Sequence, residues 1–498
     1  ESFFKNVTDR VTSVGTAFMG MTVQCASCHE HKYDPLTQKD FYSLFAFFNN
    51  IDAQPETNGG EKGGLQPPFT QLGTPEDQAE LKEIDARLAI LNPKVEQAKK
   101  LALAEKDPEK KKPLMLAARE LVAQKNPLTR RRTQLDRTMT KAMIMKERGE
   151  VRKTHVMKRG RYDDPGEEVT RDTPAFLPPL RKKAEVASRM DLAEWFVSRE
   201  NPLTARVAVN RFWQQVLGVG LVKTSEDLGV QGEVPSHPEL LDHLTVSFIE
   251  SGWDIKALMK QMVMSRTYRQ SSVADPGQFR KDPENRLLAR GSRFRMDAEM
   301  VRDNALALGR ILVEQIGGRS VKPYQPAGYW RHLNFPGRKW APDSGESQYR
   351  RAVYTHWQRS FLHPSLLAFD APSREECTAE RPRSNTPLQA LVLLNDPTYV
   401  EAARALGERI MKEGGDDAVA RIRWAFLEAL SRPPSDRDLK IVADLQVAQF
   451  KRYLADGAAG KQLLSVGLRP APTDLPVAEL AAWTTVARTI LNLHETIT

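Results

Sequence analysis

Thr74–Ala98, TPEDQAELKEIDARLAILNPKVEQA, is the stretch that decides the fold class. Thr74 is a helix N-cap residue, Pro75 suits the first helical position, and Glu76 and Asp77 place acids in the first turn, where the helix dipole favours them. Leu81, Ile84, Leu88, Leu91, Val95 and Ala98 then follow at alternating spacings of three and four, a narrow apolar seam. The basic, proline-containing link Asp107–Pro113 breaks the pattern, and a second seam runs through Leu114, Leu121, Leu128 and Leu135. Two seams joined by a short polar link predict an antiparallel helical hairpin over residues 73–137. Pro93 and Pro127 are expected to kink it or end its helices locally. An arm or spacer is its expected role.

Outward from the hairpin, helical spacing dominates. Phe3–Met21 carries Val7, Val11, Val14, Phe18 and Met21 on one side, and the aromatic run Gln38–Phe48 (QKDFYSLFAFF) predicts a second helix. Asn49–Pro68, rich in Gly, Pro, Asn and Glu, reads as a long surface loop. Downstream, Ala142, Ile144, Thr154, Val156 and Val169 lie in short alternating runs, ended by Arg159-Gly160 and Pro165-Gly166. A proline-rich linker, Thr173–Pro179, closes that region. From Lys183 the pattern is helical again, through 190–198, 203–217, 238–251, 253–265, 297–312, 402–411, 418–429, 436–453 and 475–491. The expected fold is mainly α, a multidomain helical protein with a long hairpin and a few short strands. Its expected divisions are 1–72, 73–137, 138–182, 183–415 and 416–498.

Composition narrows the class. A chain of 498 residues exceeds one hydrophobic core, and three cysteines are too few for a disulfide scaffold. A net charge of +9 raises the question of nucleic acid, but the basic residues are spread out and partly balanced by 64 acids, so no nucleic-acid partner is expected. No apolar run is long enough for a membrane span. Glu1, with neither an initiator Met nor a signal-like segment after it, reads as a processed or truncated start.

The chemistry concentrates at Cys25-Ala26-Ser27-Cys28-His29. Two cysteines separated by two residues, with histidine next, is the pattern that attaches c-type haem. Cys25 and Cys28 then make the thioether bonds, and His29 binds the iron. A rival reading is a zinc or iron site using Cys25, Cys28, His31 and Asp34. A third is a redox thiol pair. The distal iron position stays open; Met19 and Met21 lie nearby, and His155 is a further axial candidate. Cys377 is left without a partner.

The second half carries a separate polar constellation. Arg206, Asn210 and Arg211 fall on one helix; His237 opens another; Asp297, Glu299, Arg302 and Asp303 can place acids and a base toward a common groove. Arg350, Arg351, Tyr354, Arg359, Asp370, Arg381 and Arg383 extend the set. Such groups suit acid–base work on a sugar, and equally a buried ion-pair network. Phe212, Trp213, Trp253, Tyr268, Tyr324, Trp330, Trp340 and Trp357 offer stacking surfaces for sugar rings or core material. Gly218–Val222 lacks the pattern of a nucleotide loop.

A resemblance covers most of the chain from Thr12 to Ile410. Cys25–Pro35 resembles the end of the first of two adjoining domains of unknown function in large exported planctomycete proteins, which often carry a planctomycete cytochrome c module. The second domain of that pair is matched by Asn201–Arg211, Gly232–Asp242, Ser265–Arg269, Met296–Glu299, Phe369–Pro372 and Thr386–Leu391. The resemblance implies export to the periplasm and association with other c-type cytochromes, and it supplies no reaction. The first domain ordinarily starts well before Glu1, so the missing part is expected on the same or another chain. The expectation is therefore an exported protein with one covalent haem c, acting in electron transfer or as a haem-linked oxidoreductase, with complex carbohydrate as the candidate substrate. The alternatives are a non-catalytic scaffold or binding protein with a structural haem or metal, and a hydrolase using the acids of the second half.

Overall fold

Short-range signals shape the first elements. Helix α1 (Ser2–Val14) does not continue to Met21; it passes into a π turn, Gly15–Met19, and then a 3-10 turn, Val23–Ser27. Val7, Val11 and Met21 are buried as their spacing predicts, whereas Phe18, expected on the same side, is nearly half exposed. The aromatic run forms α2 (Gln38–Asn49), with Phe41, Tyr42, Phe45 and Phe47 buried. The computed structural model describes residues 1–52, 68–332, 339–358 and 361–498. Most of the loop expected over Asn49–Pro68 and Arg359 of the polar set lie outside the described residues.

Two compact units divide the chain: Glu1–Lys5 with Phe48–Lys153, and Asn6–Phe47 with Thr154–Thr498. In the first, β1 (Phe69–Leu72) leads into α3 (Pro75–Ala104), α4 (Pro108–Thr138) returns, and β2 (Thr140–Met143) pairs antiparallel with β1. The cap of α3 is as the residues require: Thr74 Oγ accepts from Asp77 N at 3.2 Å, and the Asp77 carboxylate accepts from Thr74 N at 3.4 Å. The seam buries Ile84, Leu88, Leu135 and Met139 at the base of the hairpin. Bidentate Arg131–Glu80 and single Arg132–Asp85 bridges cross beside it. Each buried side chain is worth about 1.5–3 kcal/mol and each exposed bridge about 0.2–1 kcal/mol, so burial decides the pairing. The prolines do not end the helices: α3 continues through Pro93, and α4 begins at Pro108 and continues through Pro113 and Pro127. Asp107 caps α4 at Glu109 N, 3.1 Å, moving the helix start ahead of Pro113. The cost of a missing hydrogen bond at each proline is offset by the seam the partner helix covers.

The second unit contains the hairpin β3 (Thr154–Met157) and β4 (Pro165–Val169), paired antiparallel with an irregularity between His155 and Met157. Helices α5 (Arg189–Phe196), α6 (Thr204–Leu217), α7 (Pro238–Glu250) and α8 (Ile255–Met264) follow. The last three share a core of Val209, Trp213, Leu244, Phe248 and Met262. Two short helices, α9 (Arg266–Arg269) and α10 (Pro276–Lys281), lead to α11 (Ala298–Leu308), which stops well short of Leu312. Then come α12 (Pro364–Ala368), α13 (Pro387–Asn395), α14 (Pro397–Glu413), α15 (Ala418–Leu430), α16 (Asp436–Ala455), α17 (Gly457–Leu464) and α18 (Val477–Leu491). The architecture is mainly α. Among the described residues no helix is long and apolar enough to cross a membrane.

Two expected boundaries do not coincide with packing. One apolar cluster runs from Ala298 to Ile497, so residues 183–415 and 416–498 share a core. The reason is α14, buried continuously from Thr398 to Met411, which needs neighbours on every side. Residues 1–72 are divided between the two units.

Candidate functional site

Cys25 lies in the 3-10 turn Val23–Ser27, Cys28 caps its C-terminal end, and His29 follows. Cys25 N donates to Thr22 O and Cys28 N to Cys25 O, both at 3.4 Å. With three residues per turn, positions three apart eclipse, so Cys25 and Cys28 leave the backbone on one side. Both thiols are free and exposed. The exposed His29 ring donates from Nδ1 to Glu30 O at 2.6 Å, because a carbonyl only accepts. That bond leaves the lone pair on Nε2, the tautomer an iron-binding histidine needs.

Neighbouring elements hold the turn from behind. Ser27 O accepts from Tyr42 OH at 2.9 Å and from Gln38 Nε2 at 3.2 Å, both on α2. Gln38 Nε2 also reaches Met157 O at 3.0 Å, tying in the β3–β4 hairpin. Burial, with Cys28 as the lesser cause, pushes the Tyr42 phenol above its usual range. Gly160, at φ +70°, presses its backbone on Cys28: a Cβ there would lie 2.6 Å from Sγ. Gln38, Tyr42 and Gly160 were not singled out from sequence. The Arg159-Gly160 turn was visible, but nothing local says that it meets a cysteine 132 positions away.

His31 and Asp34 do not join the thiols. The His31 ring accepts at Nδ1 from Asp34 N (2.9 Å) and donates from Nε2 to Thr22 Oγ1 (3.2 Å). Asp34 Oδ1 accepts from Val230 N at 2.8 Å. Its Oδ2 is buried without a hydrogen-bond partner, 3.4 Å from His31 Nδ1. Both side chains are almost fully buried while the thiols face out, so the expected four-ligand set of Cys25, Cys28, His31 and Asp34 is not assembled. Among the described residues no three His, Cys, Asp or Glu side chains gather where a metal ion would sit. The residues at Cys25–His29 do fit a covalent haem: two free thiols on one side of a turn, and an imidazole with its outer nitrogen unengaged. His155 lies on β3, opposite Glu168.

The polar candidates of the second half are dispersed among structural roles. Arg206 grips one Asp242 oxygen at 2.7 and 2.9 Å, while Asn210, one turn on, is fully buried and exchanges two bonds with the Val222 backbone at 2.8 and 2.9 Å. Arg211 donates to Ala17 O at 2.7 Å and Thr16 O at 2.5 Å. His237 stands at the start of α7, with Nδ1 3.0 Å from Ser236 Oγ. Asp297 and Glu299 both meet Arg381, at 3.6 and 2.7 Å. Arg302 and Asp303 turn instead to backbone: Arg302 donates to Arg350 O and Gln348 O, and Asp303 accepts from Ala352 N. The common groove expected for these four is therefore not formed, because half of the set is consumed by residues 348–352. Tyr354 OH accepts from Gly317 N at 2.7 Å under the Arg350 guanidinium. Asp370, at φ +61°, binds Arg295 and Ser384. Among the aromatic residues, Trp330 and Trp340 stack on each other at 5.3 Å and Trp357 lies under Arg374, so those faces are already used.

Residues 188–446 match the family described as PSD1, protein of unknown function DUF1553. This chain belongs to the PSD1 family. Residues 1–53 match a second description, PSCyt2, protein of unknown function DUF1549. No curated protein and no solved structure matches. The paired domains expected from the resemblance are both present. The Cys25–His29 turn belongs to the PSCyt2 part and is keyed into the PSD1 part by backbone-directed bonds. Besides Arg211, Leu228 N donates to Gly20 O at 2.7 Å and Val230 N to Asp34. At Gly229 an added Cβ would fall 2.6 Å from the Asp34 carboxylate oxygens, so the two parts touch there at backbone range.

Proposed function

We propose that Cys25 and Cys28 hold one covalent haem c with His29 on its iron, and that the protein works outside the cytoplasm in electron transfer or as a haem-linked oxidoreductase. The observation that carries the reading is the His29 Nδ1–Glu30 O bond beside two free thiols, one within a 3-10 turn and one capping it. When bound, such a group supplies one-electron exchange at an iron whose axial ligands set the potential. The chain's own part is positional: Glu30 O selects the His29 tautomer, and Tyr42 and Gln38 hold Ser27, between the thiols, against α2. Complex carbohydrate is the substrate class we propose for an oxidoreductase role, and other c-type cytochromes are the proposed electron partners.

The second reading is a scaffold or binding protein that carries the same haem. It is favoured by the way Asp297, Glu299 and Asp370 are tied to arginines rather than presented to a cleft. Co-expression with a cytochrome c maturation system tests both. The reduced protein should show a sharp c-type α-band, lost in Cys25→Ala, Cys28→Ala and His29→Ala. A colourless protein of unmodified mass would sink the haem reading. A spectral shift on adding carbon monoxide selects an open iron, and hence catalysis, over a closed electron carrier.

A further inference from the structure

The α3–α4 hairpin buries its seam unevenly. Its base is closed by Ile84, Leu88, Leu135 and Met139, with the two cross-helix bridges beside them. Toward the far end the large apolar side chains are left outside: Leu103 is 78% exposed, Leu116 58% and Met115 42%. Between the helices there lies a groove of about 370 Å³. Ala102 and Ala118, both buried, form its floor, and Leu103 and Met115 stand at its sides. Small floor residues admit close approach of another backbone, and two helices alone leave one side of each apolar stripe uncovered. A third helix laid along the groove completes the arrangement.

Charge selects the occupant. Lys99, Lys111 and Arg119 rim the groove. Lys99 meets Glu96 at 3.5 Å in an exposed pair, and among the described residues Lys111 and Arg119 make no ion pair. The apex of the hairpin carries both signs, Glu105, Asp107 and Glu109 beside Lys106, Lys110 and Lys112. A bilayer met end-on would face that mixed apex, whereas a helix docking side-on meets the basic rim on either side of an apolar floor. We propose that this groove binds an acidic amphipathic helix of a partner protein, its apolar stripe on Ala102 and Ala118 and its carboxylates against Lys99, Lys111 and Arg119.

Two synthetic helical peptides with one shared leucine stripe, flanked by glutamate in the first and lysine in the second, test this by fluorescence anisotropy against the whole chain. The glutamate peptide should bind at least about tenfold more tightly, an effect expected to shrink with salt. Lys99→Glu with Lys111→Glu and Arg119→Glu should reverse the preference, and Leu103→Ser with Met115→Ser should abolish binding. These side chains are exposed or on the rim, so the thermal midpoint should stay unchanged; Ala118→Gln, which fills the floor, gives an independent block. Equal binding of the two peptides, no binding of either, or glutamate-peptide binding that survives the charge reversal overturns the proposal. So does binding to vesicles of equimolar phosphatidylglycerol and phosphatidylcholine without binding to the peptide.

Discussion

His363 shows how far a single side chain's behaviour depends on what surrounds it. It is 4% exposed, donates from Nε2 to Tyr324 O at 2.7 Å, and accepts at Nδ1 from Ser365 Oγ at 3.0 Å. Burial first, and the Arg302 positive charge second, push its pKa down to about 4. The folded value lies below the unfolded one, near 6.5, so the unfolded chain takes up the proton first. Its stabilising contribution is therefore complete above about pH 6.5 and is lost as pH falls through about 4, by roughly 3 kcal/mol. Asp303 and Asp396 act in the opposite sense: burial raises both, so what they contribute is present at low pH and lost as pH rises. Urea unfolding of the wild type and His363→Asn at pH 7 and pH 4.5 separates the two effects. The variant should lose less stability between the two pH values; an equal loss in both proteins would contradict the assignment. Local sequence contains nothing of this. The Cys25–His29 motif is legible because its residues are neighbours in the chain, whereas the setting of His363 comes from Tyr324 and Arg302, 39 and 61 positions away.

At the scale of elements, the hairpin was the most legible part, because its partner helices are neighbours in sequence and its period is local. Leu88→Ala should cost about 2–5 kcal/mol, since it opens a cavity in a small closed seam. Arg132→Ala, which removes the exposed Asp85 bridge, should cost under about 1 kcal/mol. Urea denaturation followed by circular dichroism ranks them, and the reverse order would show that charge rather than burial pairs the helices. Helix α14 was less legible in its setting. Glu401, Arg404 and Glu408 are residues that ordinarily stay in water, yet they are nearly or fully buried. Glu401 accepts from Tyr324 OH at 2.8 Å and Tyr349 OH at 2.9 Å, and Arg404 lies beside it at 3.5 Å. Burial first and the Glu401 charge second push the Tyr349 phenol up to about 12. Charges buried in this way need partners from remote segments, so residue type alone places them wrongly.

Across the whole chain, the junction between the PSCyt2 and PSD1 parts depends on backbone carbonyls met by distant donors. Arg211, its guanidinium pushed down by burial, reaches Thr16 O, Ala17 O and Ser225 O. Arg211→Met should cost about 1–3 kcal/mol, the penalty of carbonyls left without a donor. Hydrogen exchange should quicken over residues 15–29 and stay unchanged in α14 and α18. Unaltered protection at 15–29 would show that the turn holds itself. The same reasoning explains why the expected boundary at 415/416 did not survive: helices on both sides of it bury one apolar cluster. By itself the sequence determined the helical class, the hairpin and the Cys25–His29 motif, which rest on periodicity or on residues adjacent in the chain, and the paired domains through their resemblance to a family. Only the tertiary structure decided that His31 and Asp34 turn inward, that the polar residues of the second half bind one another and the backbone, and that Gly160 and Tyr42 back the motif. Each of those outcomes depends on which remote groups satisfy a buried donor or acceptor, and local sequence pattern carries no record of that.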